Sequence, residues 1–441
     1  MKMKKKDYSK QLLFKIKKKE AKIGVIGLGY VGLPLAVEFA KVGFSVLGID
    51  LSKEKIKLLK KGKSYITDIS NADIRKFVLG KKRIQISSSY RLLKKADVVC
   101  ITVPTPLKKT KDPDISFIVS AMEGLKSVFH PGMLVILEST TYPGTTRELI
   151  ASEIEKLGYK MGKDFFAAYS PERVDPGNPG FKTKNIPKVL GAITKEGKKL
   201  TYELYSTFLE HIHLVDTVEE AEMAKLLENT FRSVNIGLVN EMTIMCERMG
   251  INIWNVIEAA STKPFGFMPF YPGPGIGGHC IPLDPLYLSY RAKMYNFYNR
   301  FIELATDING NMPRFVLAKL SDILNEDKKP LKGSKILLLG IAYKADVNDI
   351  RESPALEVYK LLLNEDATVD YSDPFIPEFN IDGVRKRSVP LKAGTIKKYD
   401  CVVITTAHSG VDYKVVLKNA KSIFDTRNVY KGINSDKITL L

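Results

Sequence analysis

Residues 22–50 begin Lys22-Ile-Gly-Val-Ile-Gly27-Leu-Gly29-Tyr30-Val31-Gly32-Leu-Pro-Leu-Ala-Val-Glu-Phe-Ala40 and, after four intervening residues, continue Ser45-Val-Leu-Gly-Ile49-Asp50. An apolar strand runs into a glycine turn, a helix pattern follows, and a second strand ends on an acid. In a dinucleotide fold, glycines at these places allow a tight turn and close approach of the backbone to a pyrophosphate. The helix N-terminus favours the negative charge. Asp50, 18 residues after Gly32, is placed to accept from the adenosine ribose hydroxyls and to repel a 2′-phosphate, so NAD is expected rather than NADP.

Further along the chain, strand-like runs at Asp97–Val103 and Met133–Leu137 end in the polar loops Pro104–Pro106 and Glu138–Gly144. Ligands of parallel sheets bind at the carboxyl ends of strands, which makes Thr105 and Thr140 candidate contacts. From about Glu219 to Met249 the period becomes helical, with an apolar stripe at Leu227, Phe231, Val234, Leu238, Met242 and Met245. Lys225, Asn229 and Arg232 share a face away from the centre of that stripe, ordinarily the wet face of a soluble helix. Beyond a linker at 325–333, strands recur at 335–340, 367–371, 401–406 and 422–425, without a GxGxxG turn. The expected fold is α/β: two Rossmann-like doubly wound domains joined by a long central helix.

At 441 residues the chain is long enough for two or three domains. Its apolar runs are too short to span a bilayer, and its lysine-rich beginning lacks the apolar core and cleavage site of a secretory signal, so a cytoplasmic protein is expected. The formal charge of +19 comes from lysines spread over the length, with neither zinc-finger spacing nor an RRM-type aromatic signature. We therefore read a solvated surface that favours anionic substrates, with no nucleic acid and no membrane among the partners. Cys100, Cys246, Cys280 and Cys401 form no CxxC pair, and no metal site is expected. Three of them fall in apolar strand or helix patterns. Cys280 falls instead in Tyr271-Pro-Gly-Pro-Gly-Ile-Gly-Gly-His-Cys-Ile-Pro-Leu-Asp284, a loop whose glycines admit a ligand to the backbone and whose prolines stiffen it. A thiol displayed this way is a candidate nucleophile.

The chain resembles the UDP-glucose/GDP-mannose dehydrogenase family, NAD-dependent enzymes that oxidise a nucleotide-sugar CH2OH to a carboxylate. The resemblance runs from Lys22 to the C-terminus. It rests, in the family's order, on Gly27-Leu-Gly-Tyr-Val-Gly-Leu-Pro34, Glu138-Ser-Thr140, Ser170-Pro-Glu-Arg173, Ala221-Glu-Met-Ala-Lys-Leu-Leu-Glu-Asn229, Gly277-Gly-His-Cys-Ile-Pro-Leu-Asp284, and Gly340-Ile-Ala-Tyr-Lys344 with Asp349-Ile-Arg351. It implies a basic leader (1–21), an NAD-binding Rossmann domain (22–215), a central helical dimerisation domain with the cysteine loop (216–325), and a UDP-binding α/β domain (326–441). A homodimer or higher homo-oligomer is implied as well.

By the same resemblance Cys280 adds to a bound aldehyde and carries it as a thiohemiacetal and then a thioester. Lys225 and Asn229 stabilise oxyanions, Asp284 orients or deprotonates water, and Thr140 and Glu172 position that water. The implied cofactor contacts are Gly27, Gly29, Tyr30, Val31, Gly32, Asp50, Lys55, Thr105, Thr140 and Arg351. Those of the UDP-sugar are Arg173, Val174, Lys225, Asn229, Arg232, Tyr271, Gly273, Gly277 and Lys344. His279, adjacent to Cys280 in an extended segment, points to the other side and is not expected to serve as its base. The UDP-glucose branch tends to read Gly-Gly-Ser-Cys-Phe-Pro-Lys-Asp; His279, Ile281 and Leu283 depart from it towards the 2-acetamido branch. Lys263-Pro-Phe-Gly-Phe-Met-Pro-Phe-Tyr-Pro272 lacks the His-Pro-Arg segment of UDP-N-acetylmannosamine enzymes and resembles UDP-N-acetylglucosamine 6-dehydrogenases. That reading implies UDP-N-acetylglucosaminuronate as product, a precursor of surface polysaccharide. The same chemistry on UDP-N-acetylmannosamine, UDP-N-acetylgalactosamine or UDP-glucose is the alternative, ahead of a two-electron hydroxyacid dehydrogenase or a non-catalytic nucleotide-binding protein.

Overall fold

The computed structural model describes residues 6–66, 69–108, 110–173, 180, 185–278 and 280–441. The chain divides into two compact units, Met1–Glu228 with Leu286–Tyr295, and Asn229–Pro285 with Asn296–Leu441.

The first unit is built on eight strands: β1 (Lys22–Ile26), β2 (Ser45–Ile49), β3 (Ile84–Ser87), β4 (Val98–Ile101), β5 (Met133–Leu137), β6 (Phe165–Tyr169), β7 (Lys188–Ala192) and β8 (Ile212–Leu214). Their order is β3-β2-β1-β4-β5-β6-β7-β8, parallel except where β6 meets β7. Central strands such as β5, Met-Leu-Val-Ile-Leu, are buried at every position because helices cover both faces of the sheet. The order reverses between β1 and β4, so the glycine turn after β1 lies at the switch point where such sheets bind ligands.

The second unit holds a parallel sheet of β9 (Lys335–Leu339), β10 (Thr368–Ser372), β13 (Cys401–Ile404), β14 (Ser422–Asp425) and β15 (Ile438–Leu440), ordered β10-β9-β13-β14-β15. A hairpin, β11 (Glu378–Ile381) and β12 (Val384–Arg387), stands beside it in sequence. On one face the helices Arg300–Glu326 and Pro354–Asn364 supply Met312, Val316, Leu320, Val358 and Leu362 to the core.

A single helix, Val218–Arg248, contains the boundary of the units. Its buried arc is the polar one. Glu222, Lys225, Asn229, Ser233, Asn240 and Thr243 are buried, with Lys225 8% and Asn229 4% exposed. Leu227, Phe231, Leu238 and Met245 are 57%, 48%, 51% and 44% exposed. At about 100° per residue the two sets fall on opposite sides. The face expected to be wet is therefore the buried one, and the apolar stripe lies open. Arg232, at the edge of the buried arc, is exposed.

The lysine-rich leader contains a helix, Tyr8–Lys18, capped by Asp7 accepting from Lys10 N–H and ended by Lys19 in left-handed conformation. Leu12 and Ile16, one turn apart, enter the core of the first sheet beside Val37, Phe39 and Leu204. Lys15 Nζ pairs with Asp97 at 2.6 Å. Ile16→Ala is expected to cost about 2–4 kcal/mol of stability in urea unfolding, as for a core position. A loss below about 0.5 kcal/mol would mean that the helix does not dock.

Candidate active site

The sequence dictates a closed turn at the end of β1. Gly27 has φ +91°, and a Cβ at Gly32 would lie 1.9 Å from the Gly27 carbonyl oxygen. A Cβ at Gly29 would meet nothing within 4 Å, so this side of the turn is open. The helix Gly32–Lys41 has no side-chain cap at Val31, and Tyr30 is exposed beside it. Leu33 N–H donates to the Gly29 carbonyl at 3.1 Å and Pro34 has no N–H, so the amides that can face an anion are those at or before Gly32. The buried Asp50 carboxylate accepts Leu28 N–H at 2.9 Å and Ser52 N–H at 2.8 Å, with Lys55 Nζ 3.7 Å away. Thr105 is buried after β4, and Thr140 is half-buried after β5. Glu172 accepts Arg173 N–H at 2.8 Å. The Arg173 guanidinium pairs with Glu228 at 2.7 Å. Val174 lies outside the described residues. Lys225 is buried on the helix Val218–Arg248.

In the second unit, the loop after Tyr271 is held from several sides. The Tyr271 ring stacks on Trp254, and Gly273 N–H donates to Asn240 Oδ1 at 3.1 Å. Gly275 and Gly278 have φ of +133° and +93°. A Cβ at Gly277 would come within 2.8 Å of Tyr343 Cβ and of Pro354 Cδ, and Gly278 N–H donates to the Arg351 carbonyl at 3.2 Å. His279 lies outside the described residues. Cys280 is exposed, whereas Cys100, Cys246 and Cys401 are buried. Its carbonyl accepts Leu283 and Asp284 N–H at 3.2 and 2.9 Å, which starts the helix Asp284–Lys293 at Asp284. Asp284, 4% exposed, accepts from Asn229 Nδ2. Asn229, Asp284 and the Cys280 backbone are thus one connected group. Lys344 is half-buried next to Tyr343, and the Arg351 guanidinium is held by Asp349 at 2.6 Å.

Three domain models of one family match the sequence in order: the NAD binding domain of the UDP-glucose/GDP-mannose dehydrogenase family over residues 21–209, its central domain over 219–311 and its UDP binding domain over 337–432. The chain belongs to this family. It is 35% identical over 396 residues to UDP-N-acetyl-D-glucosamine 6-dehydrogenase of Pseudomonas aeruginosa, covering 89% of this chain and 91% of the relative. Identity to UDP-N-acetyl-D-mannosamine dehydrogenase of Pyrococcus horikoshii is 36% over 418 residues, covering 93% and 96%. A solved structure of UDP-D-ManNAc dehydrogenase from Pyrococcus horikoshii superposes with a TM-score of 0.86 at 33% identity, covering 95% of this chain and 98% of that one. The chain is an NAD-dependent UDP-sugar 6-dehydrogenase of this family. The turn fits its dinucleotide: the Gly27–Gly32 contact leaves no room for side chains, and Gly29 opens the backbone.

In this dehydrogenase several buried or half-buried groups, most of them outside the quoted motifs, support the loops. Lys188 Nζ, at the start of β7, donates to Glu138 Oε2 at 2.8 Å and to the Pro171 carbonyl at 3.4 Å, and the Tyr205 hydroxyl donates to Glu138 as well. Burial raises the Glu138 pKa against the opposing pull of Lys188. Arg427, just after β14, sits against Gly273, where a Cβ would come within 2.4 Å of Nη1; burial lowers its pKa to about 10. Glu222 accepts Gly144 N–H at 2.6 Å, Thr146 N–H at 2.8 Å and Thr146 Oγ1–H at 2.7 Å. Glu138 and Glu222 carry the sequence signal of the group, by their places in the Glu138–Thr140 and Ala221–Asn229 motifs.

Burial outweighs those hydrogen bonds and raises the Glu222 pKa to about 7. A raised folded pKa means that the folded state holds a proton the unfolded chain has lost. Its stabilising contribution is full below the unfolded value of 4.5 and is lost as pH rises through about 7. Across that window the difference in unfolding free energy between the native chain and Glu222→Gln is expected to shift against the native chain by about 1 kcal/mol per pH unit. A difference that stays constant from pH 5 to 8 in urea titrations would contradict it.

Proposed function

We propose that the chain oxidises the C6 alcohol of UDP-N-acetylglucosamine to UDP-N-acetylglucosaminuronate by a four-electron reaction on Cys280, and so supplies a building block for surface polysaccharide. One observation carries the chemistry: the exposed Cys280 thiol stands in a glycine loop one helical turn before Asp284, whose buried carboxylate is held by Asn229. Support for the 2-acetamido sugar comes from His279, Ile281 and Leu283 around the cysteine, and from the 263–272 segment, which exposes Phe265, Phe267, Met268 and Tyr271.

Bound NAD supplies the hydride acceptor, one molecule for each two-electron step, held by the Gly27–Gly32 turn, Asp50, Lys55, Thr105, Thr140 and Arg351. Arg173, Val174, Arg232, Tyr271, Gly273, Gly277 and Lys344 hold the UDP-sugar. The Cys280 thiolate adds to the C6 aldehyde, forming a C–S bond and an oxyanion that becomes a thiohemiacetal. Loss of hydride from its carbon leaves a thioester, and water then cleaves the C–S bond, releasing carboxylate and thiol. Lys225, a buried cation, and Asn229 stabilise the successive oxyanions. Asp284 accepts the proton of the attacking water, which Thr140 and Glu172 orient.

The exposed stripe of Leu227, Phe231, Leu238 and Met245 is the face by which a second copy docks, since contiguous apolar surface of this kind is uncommon on a monomer. Leu238→Glu is expected to shift the sedimentation profile to the monomer. An unchanged profile, or a monomeric native chain, would remove this face from any dimer.

Purified protein is expected to form two NADH per UDP-sugar consumed, with UDP-N-acetylglucosamine giving the highest kcat/KM among the four UDP-sugars UDP-glucose, UDP-N-acetylglucosamine, UDP-N-acetylgalactosamine and UDP-N-acetylmannosamine. One NADH with arrest at an aldehyde or ketone would exclude the thioester route. Higher kcat/KM on UDP-N-acetylmannosamine would reassign the sugar without changing the chemistry. Cys280→Ala is expected to lower acid formation by at least about 10³-fold and leave NAD affinity unchanged; retained turnover would exclude Cys280 as nucleophile.

A further inference from the structure

Both sheets end their first strand in the same way. In the first, Gly27 has φ +91°, its N–H donates to Ile49 O at 2.8 Å, Thr102 Oγ1 donates to the Ile26 and Gly27 carbonyls, and Asp50 accepts Leu28 N–H. In the second, Gly340 has φ +88° and its N–H donates to Ser372 O at 2.9 Å. Thr405 Oγ1 donates to the Leu339 and Gly340 carbonyls, and Asp373 Oδ2 accepts Ile341 N–H at 2.7 Å and Ala342 N–H at 3.0 Å. Beyond these glycines the two turns diverge. After Gly27 a helix begins at Gly32 and carries the turn, whereas after Gly340 the chain runs through turns until the helix at Pro354.

His408 takes the place of that missing support. Its side chain is fully buried, stacked on Phe375 with ring centroids 5.1 Å apart. Asp346 N–H can only donate, so Nδ1 accepts it at 3.0 Å, and Nε2 therefore bears the proton and donates to Asp373 Oδ2 at 3.0 Å. Asp346 has left-handed φ of +61°, and its Oδ1 accepts Ser409 N–H at 2.9 Å, so this end of the turn is fastened twice to the segment after β13. Thr406 Oγ1 donates to Ala342 O at 2.6 Å. The stretch so fixed at both ends carries Tyr343, whose side chain fills the space beside Gly277 and Gly278, and Lys344.

We propose that Asp373 and His408 are positioning residues for substrate binding, a buried pair that holds the 341–346 turn so that Lys344 and Tyr343 stay in register with the Gly277–Cys280 loop. The proposal rests on the reading of Lys344 as a UDP-sugar contact. The imidazole is used as a fixed donor and acceptor, one hydrogen bond at each end, and not as an acid or base.

The test measures kcat, KM for the best-used UDP-sugar and KM for NAD in His408→Ala, His408→Gln, Asp373→Asn, Lys344→Ala and the Lys344→Ala/His408→Ala double variant. For His408→Ala the UDP-sugar KM is expected to rise about tenfold, with kcat and the NAD KM within about twofold, the size of a lost buried hydrogen bond that acts on binding alone. A glutamine amide offers one donor and one acceptor, so His408→Gln is expected to return KM to within about threefold of the native value. In the Lys344→Ala background His408→Ala is expected to add less than about twofold, because both changes remove one interaction. Asp373→Asn serves if the alanine variant does not fold, and a rise in UDP-sugar KM alone is expected of it too. Multiplicative effects in the double variant, no rescue by glutamine, or a parallel loss of kcat and NAD affinity would overturn the positioning role. An unchanged KM in Lys344→Ala itself would instead overturn the underlying reading of Lys344.

Discussion

Polar side chains buried along one helix demand partners, and the loops of this protein are arranged to supply them. On Val218–Arg248, Glu222, Asn229 and Asn240 lose their water and cannot remain unpaired at less than a cost of about 1–3 kcal/mol each. Glu222 is satisfied by the amides of the 144–146 turn, Asn229 by Asp284, and Asn240 by Gly273 N–H and the Asn309 side chain. Each bond fixes a loop that bears a candidate site residue: Thr140 stands before the first, Cys280 before the second, and the glycine segment leads on from the third. Lys225, buried on the same arc, pairs with no carboxylate among the described residues.

The same helix explains a reversal. Periodicity locates an apolar stripe correctly and says nothing of what covers it. Leu227, Phe231, Leu238 and Met245 face out, while the polar arc faces in. A folded chain tolerates that arrangement when the inward polar groups hydrogen-bond and the outward apolar ones meet another surface. Nothing in the pattern marked that arc as buried, since Glu222, Lys225, Asn229 and Ser233 are ordinary residues for a solvated face.

Legibility follows the range of the interactions. The glycine turn, the acid after β2 and the alternation of strands and helices rest on local geometry, and they stand in the fold as read. So does the exposure of Cys280 against three buried cysteines. The helix Tyr8–Lys18 was hidden because Tyr8, Leu12, Leu13, Phe14 and Ile16 lie among many lysines without a clean helical stripe, yet Leu12 and Ile16 are buried in the core. Lys188, Arg427 and the Asp373–His408 pair were hidden for another reason. Their partners, Glu138, Gly273 and Asp346, lie 50, 154 and 62 residues away along the chain from Lys188, Arg427 and His408 respectively.

By itself, the sequence determined the α/β class, the family, the NAD-binding turn and the loop that displays the thiol, because glycine, proline and apolar periodicity act on neighbours along the chain. Tertiary structure alone decided which face of the long helix is buried, which carboxylate Asn229 meets, and what fastens the Gly340–Asp346 turn. Those outcomes turn on hydrogen bonds between groups desolvated together, and desolvation is a property of the folded surroundings rather than of any residue.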